Sequence, residues 1–222
     1  MSGKRSEILA TNEIYHVYNK TVGYEEIFNN SKELKRFISL IDYYRFNPKL
    51  SFSKYNILPS EERKKFYQKI KTFPKVVDIF AFAIMPNHFH LLMKQIDDSG
   101  IQKFLSNIQN GFAKYFNLKN KRSGTLFQKS FKAKRILNDE IFLHLSRYIH
   151  LNPITSYLIS PEKLINHPCT SYPYYFGNIE NNLINTKPII EIVRSKDKYI
   201  KFVNNQIDYQ RKLQKIKKYI LE

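Results

Sequence analysis

The feature that most constrains the fold of this chain is an apolar run from Val76 to Met85 (VVDIFAFAIM), which the dipeptide Pro86-Asn87 separates from a second segment, HFHLLMK. An almost continuously apolar stretch of strand length is typical of a central strand that is covered on both faces. Because Pro and Asn favour a tight turn, the second segment is predicted to return as the partner strand of a hairpin. The fold must therefore place this hairpin inside a sheet.

The remaining elements follow from the spacing of apolar residues. Two further strands are predicted over residues 13–22 and 129–137. Helices are predicted from an N-cap at Ser31, near residues 60–70, over 101–116 and from an N-cap at Asn138, the last ending at or before Pro153. The order β-α-β-β-α-β-α predicts an α+β fold, a ferredoxin-like antiparallel sheet with helices packed mainly on one face.

The chain divides by composition into a main domain and an extension. Residues 1–153 are predicted to form the main domain, with a polar, basic insertion at about 47–75 that several prolines interrupt. Residues 154–222 are predicted to be a basic, partly helical C-terminal extension, helical around 196–221. The segment RKLQKIKKYILE is equally consistent with a solvated helix that has one packed face and with a helix that contacts DNA.

Charge and cysteine content narrow the function. The 222 residues hold 37 Lys and Arg against 19 Asp and Glu, a formal charge of +18. Such an excess predicts binding to a polyanion, in particular a nucleic-acid backbone. The sole cysteine, Cys169, excludes an internal disulfide and a Cys-based zinc site. Neither a signal peptide nor a membrane anchor is recognisable, so we expect a cytoplasmic, nucleoid-associated protein without a membrane partner.

Two histidines in the predicted hairpin could bind a metal ion. Side chains alternate along a strand, so His88 and His90 should point to one face while Phe89 and Leu91 point to the other. Two imidazoles at this spacing can converge on one ion. A His-x-His pair also arises by chance, but in an apolar central strand it calls for an explanation.

Phosphodiester cleavage without water as the attacking group needs a hydroxyl nucleophile, and sixteen tyrosines are available. Tyr115 falls on the apolar stripe of its helix, which packing explains. Tyr148 lies at the edge of a predicted buried stripe, so it could be either a packing residue or a solvent-accessible nucleophile. Asn152 follows one turn later and could add an amide oxygen to the two imidazoles, a ligand set that suits Mg²⁺ or Mn²⁺, or could simply cap the helix end.

Taken together, the segments MPNHFHLLM, GTLFQKSFKAKRI and LSRYIHLNPI resemble the HUH single-tyrosine transposase family, more narrowly the REP-associated tyrosine transposases and IS200-like transposases. YHVYNKTVGYEEIF and CTSYPYYFG extend the resemblance to about residues 13–206. It implies a single-stranded DNA transposase and endonuclease that cleaves and rejoins DNA next to palindromic hairpins, such as REP elements. Tyr148 would form a 5′-phosphotyrosine, and His88, His90 and Asn152 would hold the divalent metal.

Helical geometry and charge add expectations for the residues around this site. His150 should point away from Tyr148 as a surface or structural residue, and His144 should support or pack near the site. Relatives occur as monomers or homodimers, so both states stay open. Basic residues near the site are expected to contact the DNA backbone collectively: Lys119, Lys121, Arg122, Lys129, Lys132, Lys134 and Arg135.

Two other functions compete with this interpretation. A non-catalytic single-strand-binding module of RRM-like topology would share the fold, although the aromatic RRM signature is absent from this sequence. A metal hydrolase would release its product without a protein adduct, but Leu92 occupies the position of the Asp in a His-x-His-x-Asp pattern.

Overall fold

The computed structural model describes residues 7–177 and 183–207. Its strands are β1 Ile14–Lys20, β2 Val77–Met85, β3 His88–Gln95 and β4 Lys132–Arg135. Its α-helices are α1 Ser31–Tyr44, α2 Phe52–Asn56, α3 Ser60–Lys71, α4 Gly100–Lys119, α5 Asp139–Thr155, α6 Lys187–Val193 and α7 Lys196–Asn204. Short 3-10 helices span Val22–Tyr24, Pro161–Asn166 and Tyr172–Phe176.

The four strands form an antiparallel sheet in the order β2-β3-β1-β4. The predicted hairpin forms β2 and β3, and β3 lies inside the sheet with β1 on its other side. This order and the chain order of the elements confirm the predicted α+β, ferredoxin-like fold. The sheet therefore presents the middle of β3 and β1 side by side.

Helices cover the two faces of the sheet unequally. On one face, α1 and α4 pack over a cluster of aromatic rings in which Phe37 contacts Phe89 and Phe112. On the opposite face, α5 packs against β2 and β3, with Phe142 against Phe80. This explains why β2 is apolar except for Asp78, since both of its faces are covered. The β1 and β4 side of the second face stays open.

Three predicted boundaries were wrong. The N-cap of α1 is Asn30, whose side chain accepts from two helical N–H groups, so Ser31 is already helical. Strand β4 is shorter than predicted because pairing with β1 covers only Lys132–Arg135. Helix α5 runs through Pro153 to Thr155. A proline inside a helix usually costs about 3 kcal/mol, but here the residues around it are buried, and Ser156 N bonds Asn152 O at 3.0 Å, so packing outweighs the loss.

The described part of the C-terminal region packs on α5. Both α6 and α7 contact α5, and the 3-10 helix Tyr172–Phe176 contacts α7. The predicted helix around 196–221 is present as α7, while residues 208–222, with RKLQKIKKYILE, lie outside the described residues. The proposed division at residue 153 stays a prediction. Among the described helices, none has the length and apolar character needed to cross a membrane.

Candidate active site

The two histidines of the hairpin lie on the open face of the sheet. His90 is paired with Tyr18 of β1 and Ala83 of β2, and His88 is paired with Lys20 and Met85. The two imidazole rings have centroids 5.1 Å apart and planes at 82°. Both rings line a cleft of about 940 Å³, which is room for part of a nucleic-acid strand.

The orientation of His88 is fixed by the residue before it. His88 Nδ1 lies 2.7 Å from Asn87 Oδ1, and an amide oxygen can only accept, so His88 donates its Nδ1 proton. Asn87 is itself oriented, because its Nδ2 donates to the Tyr24 carbonyl at 3.3 Å. The lone pair of His88 is therefore on Nε2. This arrangement, with one nitrogen tied to an acceptor, is typical of a metal-binding histidine.

A third histidine, His16 of β1, belongs to the same cluster and was not singled out from the sequence. Its Nε2 lies 2.9 Å from His90 Nδ1, and the two rings are within 17° of parallel. His16 also lines the cleft, together with Tyr18 and Lys20 from the same strand. The signal was available, because His16, Tyr18 and Lys20 alternate on one face of a predicted strand. The sequence did not reveal that this strand pairs with β3.

Burial keeps these imidazoles neutral. It lowers the pKa of His16 and of His88 to about 4, the latter with a contribution from Lys20. Burial lowers the pKa of His90 to about 3, helped by His16, His88 and Lys20. At neutral pH each ring therefore carries one N–H and one lone pair, the form in which histidine binds metals.

Tyr148 stands at the edge of the cleft on α5. The buried side chains Phe142 and Ile149 hold the helix against the sheet, whereas Tyr148 is 45% exposed. Its ring centroid is 6.1 Å from that of His90, with the planes at 85°. The hydroxyl-bearing ring is therefore next to the histidine pair and accessible to a ligand in the cleft.

Asn152 lies one turn after Tyr148 and also lines the cleft. Because α5 continues past Pro153, Asn152 is a helical residue and not a C-cap. It is only 7% exposed, and its Nδ2 is buried without a hydrogen-bond partner. Among residues 7–177 and 183–207, no three His, Cys, Asp or Glu side chains converge to hold a metal ion. The amide of Asn152 is the candidate third ligand beside His88 and His90.

The predicted basic residues fall into two groups. Lys132 and Lys134 of β4 line the cleft, and Lys20 of β1, which was not among the predicted residues, lines it with them. Phe131 and Tyr18 line the same cleft. This wall combines cations and aromatic rings, which suits a nucleic-acid strand.

The other basic residues lie elsewhere. Arg135 pairs with Glu13, Arg122 pairs with Glu25 at 3.0 Å, and Lys119 pairs with Glu33. Lys129 lines a different cleft, between α4 and the segment before β4. Lys121 is exposed in the turn after α4.

The two histidines of α5, His144 and His150, point away from the cleft. His150 is fully buried, with Nε2 2.8 Å from Ser171 Oγ and Nδ1 3.0 Å from Tyr199 Oη, so it is structural and not a surface residue. His144 is exposed, with Nδ1 2.8 Å from Arg147 and its ring against Phe202.

Comparison with known proteins gives a family match and a solved structure of similar fold. Residues 52–152 match the family described as "Transposase IS200 like", a segment that contains His88, His90, Tyr148 and Asn152. Among solved structures, a REP-associated tyrosine transposase bound to a REP hairpin matches with a TM-score of 0.53 and 15% identity, over 80% of this chain and 87% of that chain. Curated protein sequences give no match. At this identity the structural likeness establishes the shared fold, while the family profile supplies the sequence match. The resemblance to the IS200-like transposases that the motifs predicted is thus confirmed.

Proposed function

We propose that this protein is a single-stranded DNA transposase that cleaves and rejoins DNA next to a hairpin through a 5′-phosphotyrosine on Tyr148. The observation that carries the proposal is the meeting of Tyr148 with His90, at 6.1 Å between ring centroids, in the cleft that His88 and Asn152 also line. The family match to IS200-like transposases spans all four residues.

The residues fit a divalent cation. His88 Nε2 carries a lone pair, His90 is neutral, and Asn152 lines the same cleft, where its amide oxygen could serve as the third ligand. Nitrogen and oxygen ligands without thiolates suit Mg²⁺ or Mn²⁺. When bound, such an ion supplies Lewis-acid stabilisation of charge on the scissile phosphate.

Tyr148 performs the covalent step. Its Oη forms a bond to phosphorus while the bond from phosphorus to the 3′ oxygen breaks, which gives a 5′-phosphotyrosine and a 3′-hydroxyl. The phenolic proton leaves to water, to which Tyr148 is open, and the 3′ oxygen takes up a proton. Attack by a 3′-hydroxyl on the phosphotyrosine reverses these changes and rejoins the strand. Lys20, Lys132 and Lys134 hold the DNA backbone in the cleft.

The implied partner is single-stranded DNA that carries a palindromic hairpin. The structural neighbour is a REP-associated tyrosine transposase bound to a REP hairpin. The charge of +18 on this chain favours such a polyanion. We expect the protein to act on the DNA of the nucleoid, in the cytoplasm.

Incubation with a hairpin-flanked oligonucleotide in Mn²⁺ tests the proposal. Wild-type protein should form a covalent adduct that migrates as a shifted band in a denaturing gel, and Tyr148→Phe should form none. Tyr157→Phe is the matched control, because Tyr157 is 48% exposed and lies outside the cleft. Cleavage by wild type without an adduct would indicate a metal hydrolase, and binding without cleavage would indicate a non-catalytic single-strand-binding module.

A further inference from the structure

The hydrogen bond between His16 and His90 connects the two inner strands of the sheet at the cleft. His16 is paired with Leu92, so it lies diagonally across from His90 on the same face. The nitrogens are His16 Nε2 and His90 Nδ1, 2.9 Å apart, and the rings are nearly parallel. The contact is direct and well suited to a hydrogen bond in the plane of the rings.

Two neutral imidazoles can share this bond in two ways. In the first, His90 Nδ1–H donates to His16 Nε2, and His90 keeps a lone pair on Nε2. In the second, His16 donates, and the proton of His90 sits on Nε2, which leaves neither nitrogen of His90 free for a cation. Only the first arrangement is compatible with His90 as a metal ligand.

The neighbouring ligand candidate shows the same arrangement with a different acceptor. Asn87 Oδ1 takes the Nδ1 proton of His88 at 2.7 Å. For His90, the group at the equivalent nitrogen is His16. The two candidate metal ligands, His88 and His90, are thus each hydrogen-bonded at Nδ1, one to an amide and one to a third histidine.

We propose that His16 is a positioning residue that accepts the Nδ1 proton of His90 and so fixes the tautomer that leaves His90 Nε2 free for a divalent cation. The inference rests on the proposed metal-dependent function, which it deepens by assigning a task to a residue that does not touch the cation. Loss of a group that orients a metal ligand typically weakens metal binding by about 10–100-fold.

Two measurements test the role of His16. The first is a ¹⁵N correlation spectrum of the histidine rings in the metal-free protein at pH 7, with the His90 signals assigned by their loss in His90→Gln. Wild type should show His90 protonated on Nδ1, and His16→Phe should lose that preference. The second is Mn²⁺ affinity, measured by the EPR signal of free Mn²⁺.

The affinity series uses variants that separate hydrogen bonding from packing. His16→Phe keeps a ring but removes the acceptor, and it should bind Mn²⁺ about 10–100-fold more weakly. His16→Gln supplies an amide oxygen and should recover most of the affinity. His144→Phe is the matched control, the same exchange at an exposed histidine outside the cleft, and it should bind like wild type.

The outcomes separate this inference from the proposed function. Protonation of wild-type His90 on Nε2, or unchanged Mn²⁺ affinity in His16→Phe, would overturn the role of His16 while leaving the transposase proposal standing. Absence of Mn²⁺ binding in wild type would refute the metal site, and the tautomer of His90 would still decide whether His16 acts as its acceptor.

Discussion

Replacing Tyr199 by Phe should destabilise the helix that carries Tyr148, although Tyr199 lies in α7 and outside the cleft. Tyr199 is fully buried, and its Oη bonds Ser146 Oγ at 2.8 Å and His150 Nδ1 at 3.0 Å, both on α5. The substitution keeps the ring and its packing and removes only the hydroxyl. It therefore isolates the polar connection between the C-terminal region and α5.

The size of the expected loss in stability depends on which hydrogen-bond partners of Tyr199 are left unsatisfied. Ser146 Oγ retains its bond to the Leu143 carbonyl at 2.7 Å, so it stays satisfied. His150 Nδ1 becomes a buried polar atom without a partner, because the ring bonds Ser171 only through Nε2. The substitution removes two hydrogen bonds and leaves one buried group, His150 Nδ1, unsatisfied, which together should lower the free energy of unfolding by about 2–4 kcal/mol. For a chain of this size the thermal midpoint should fall by roughly 4–16 °C.

Urea denaturation followed by circular dichroism measures the effect. Tyr24→Phe is the control, because Tyr24 is 64% exposed and an exposed substitution should change the free energy of unfolding by less than about 0.5 kcal/mol. If Tyr199→Phe stays within that same margin, the buried connection does not hold α5 and the reasoning fails. A loss in the expected range should be accompanied by slower adduct formation, because His150 lies between Tyr148 and Asn152 on α5.

Three further predictions concern the cleft and the core. Exchange of both Lys132 and Lys134 for Ala should weaken binding to single-stranded DNA and reduce the slope of log affinity against log salt by about 1–2. The same exchange at Lys64 and Lys65 of α3, outside the cleft, should have little effect. An unchanged slope for the Lys132 and Lys134 variant would contradict the placement of DNA in the cleft. Chelation by EDTA should abolish adduct formation but leave hairpin binding measurable by gel shift, and full adduct formation in EDTA would exclude a required metal. Burial raises the pKa of Cys169 to about 12, so at pH 8 its thiol should react with a disulfide reagent only after unfolding, and rapid labelling of the native protein would contradict that burial.

The sequence predicted those parts of the site that depend on local geometry. Strand alternation places His88 and His90 together and turns Phe89 into the core, and helical spacing places Tyr148 one turn before Asn152. Each of these relations depends only on the period of one element. The fold class could be predicted for the same reason, because the order of elements leaves few ways to build an antiparallel sheet.

The parts that were missed depend on contacts between distant segments. His16 could be assigned to the cleft only once β1 was known to pair with β3, since its partner lies 74 residues away. The burial of His150 depends on Ser171 and Tyr199, which the helical pattern of α5 does not reveal. The persistence of α5 through Pro153 likewise depends on packing and not on local propensity.

For the basic residues too, local pattern could be predicted from the sequence, but contacts between distant segments could not. Charge predicted a nucleic-acid partner, but it did not distinguish Lys132 and Lys134 in the cleft from Lys119, which pairs with Glu33 from another helix. Alternation along β4 separates Lys134 from Arg135, and this could have been predicted once the strand was recognised.

The most direct test of the central claim is peptide mapping of the covalent adduct by mass spectrometry. Wild-type protein would be reacted with a hairpin-flanked oligonucleotide in Mn²⁺, digested with nuclease and protease, and the peptide that carries a nucleotide identified. The proposed function predicts a 5′-linked nucleotide on the Tyr148 side chain and a free 3′-hydroxyl on the released strand. A nucleotide on another tyrosine, or a 3′ linkage, would contradict it.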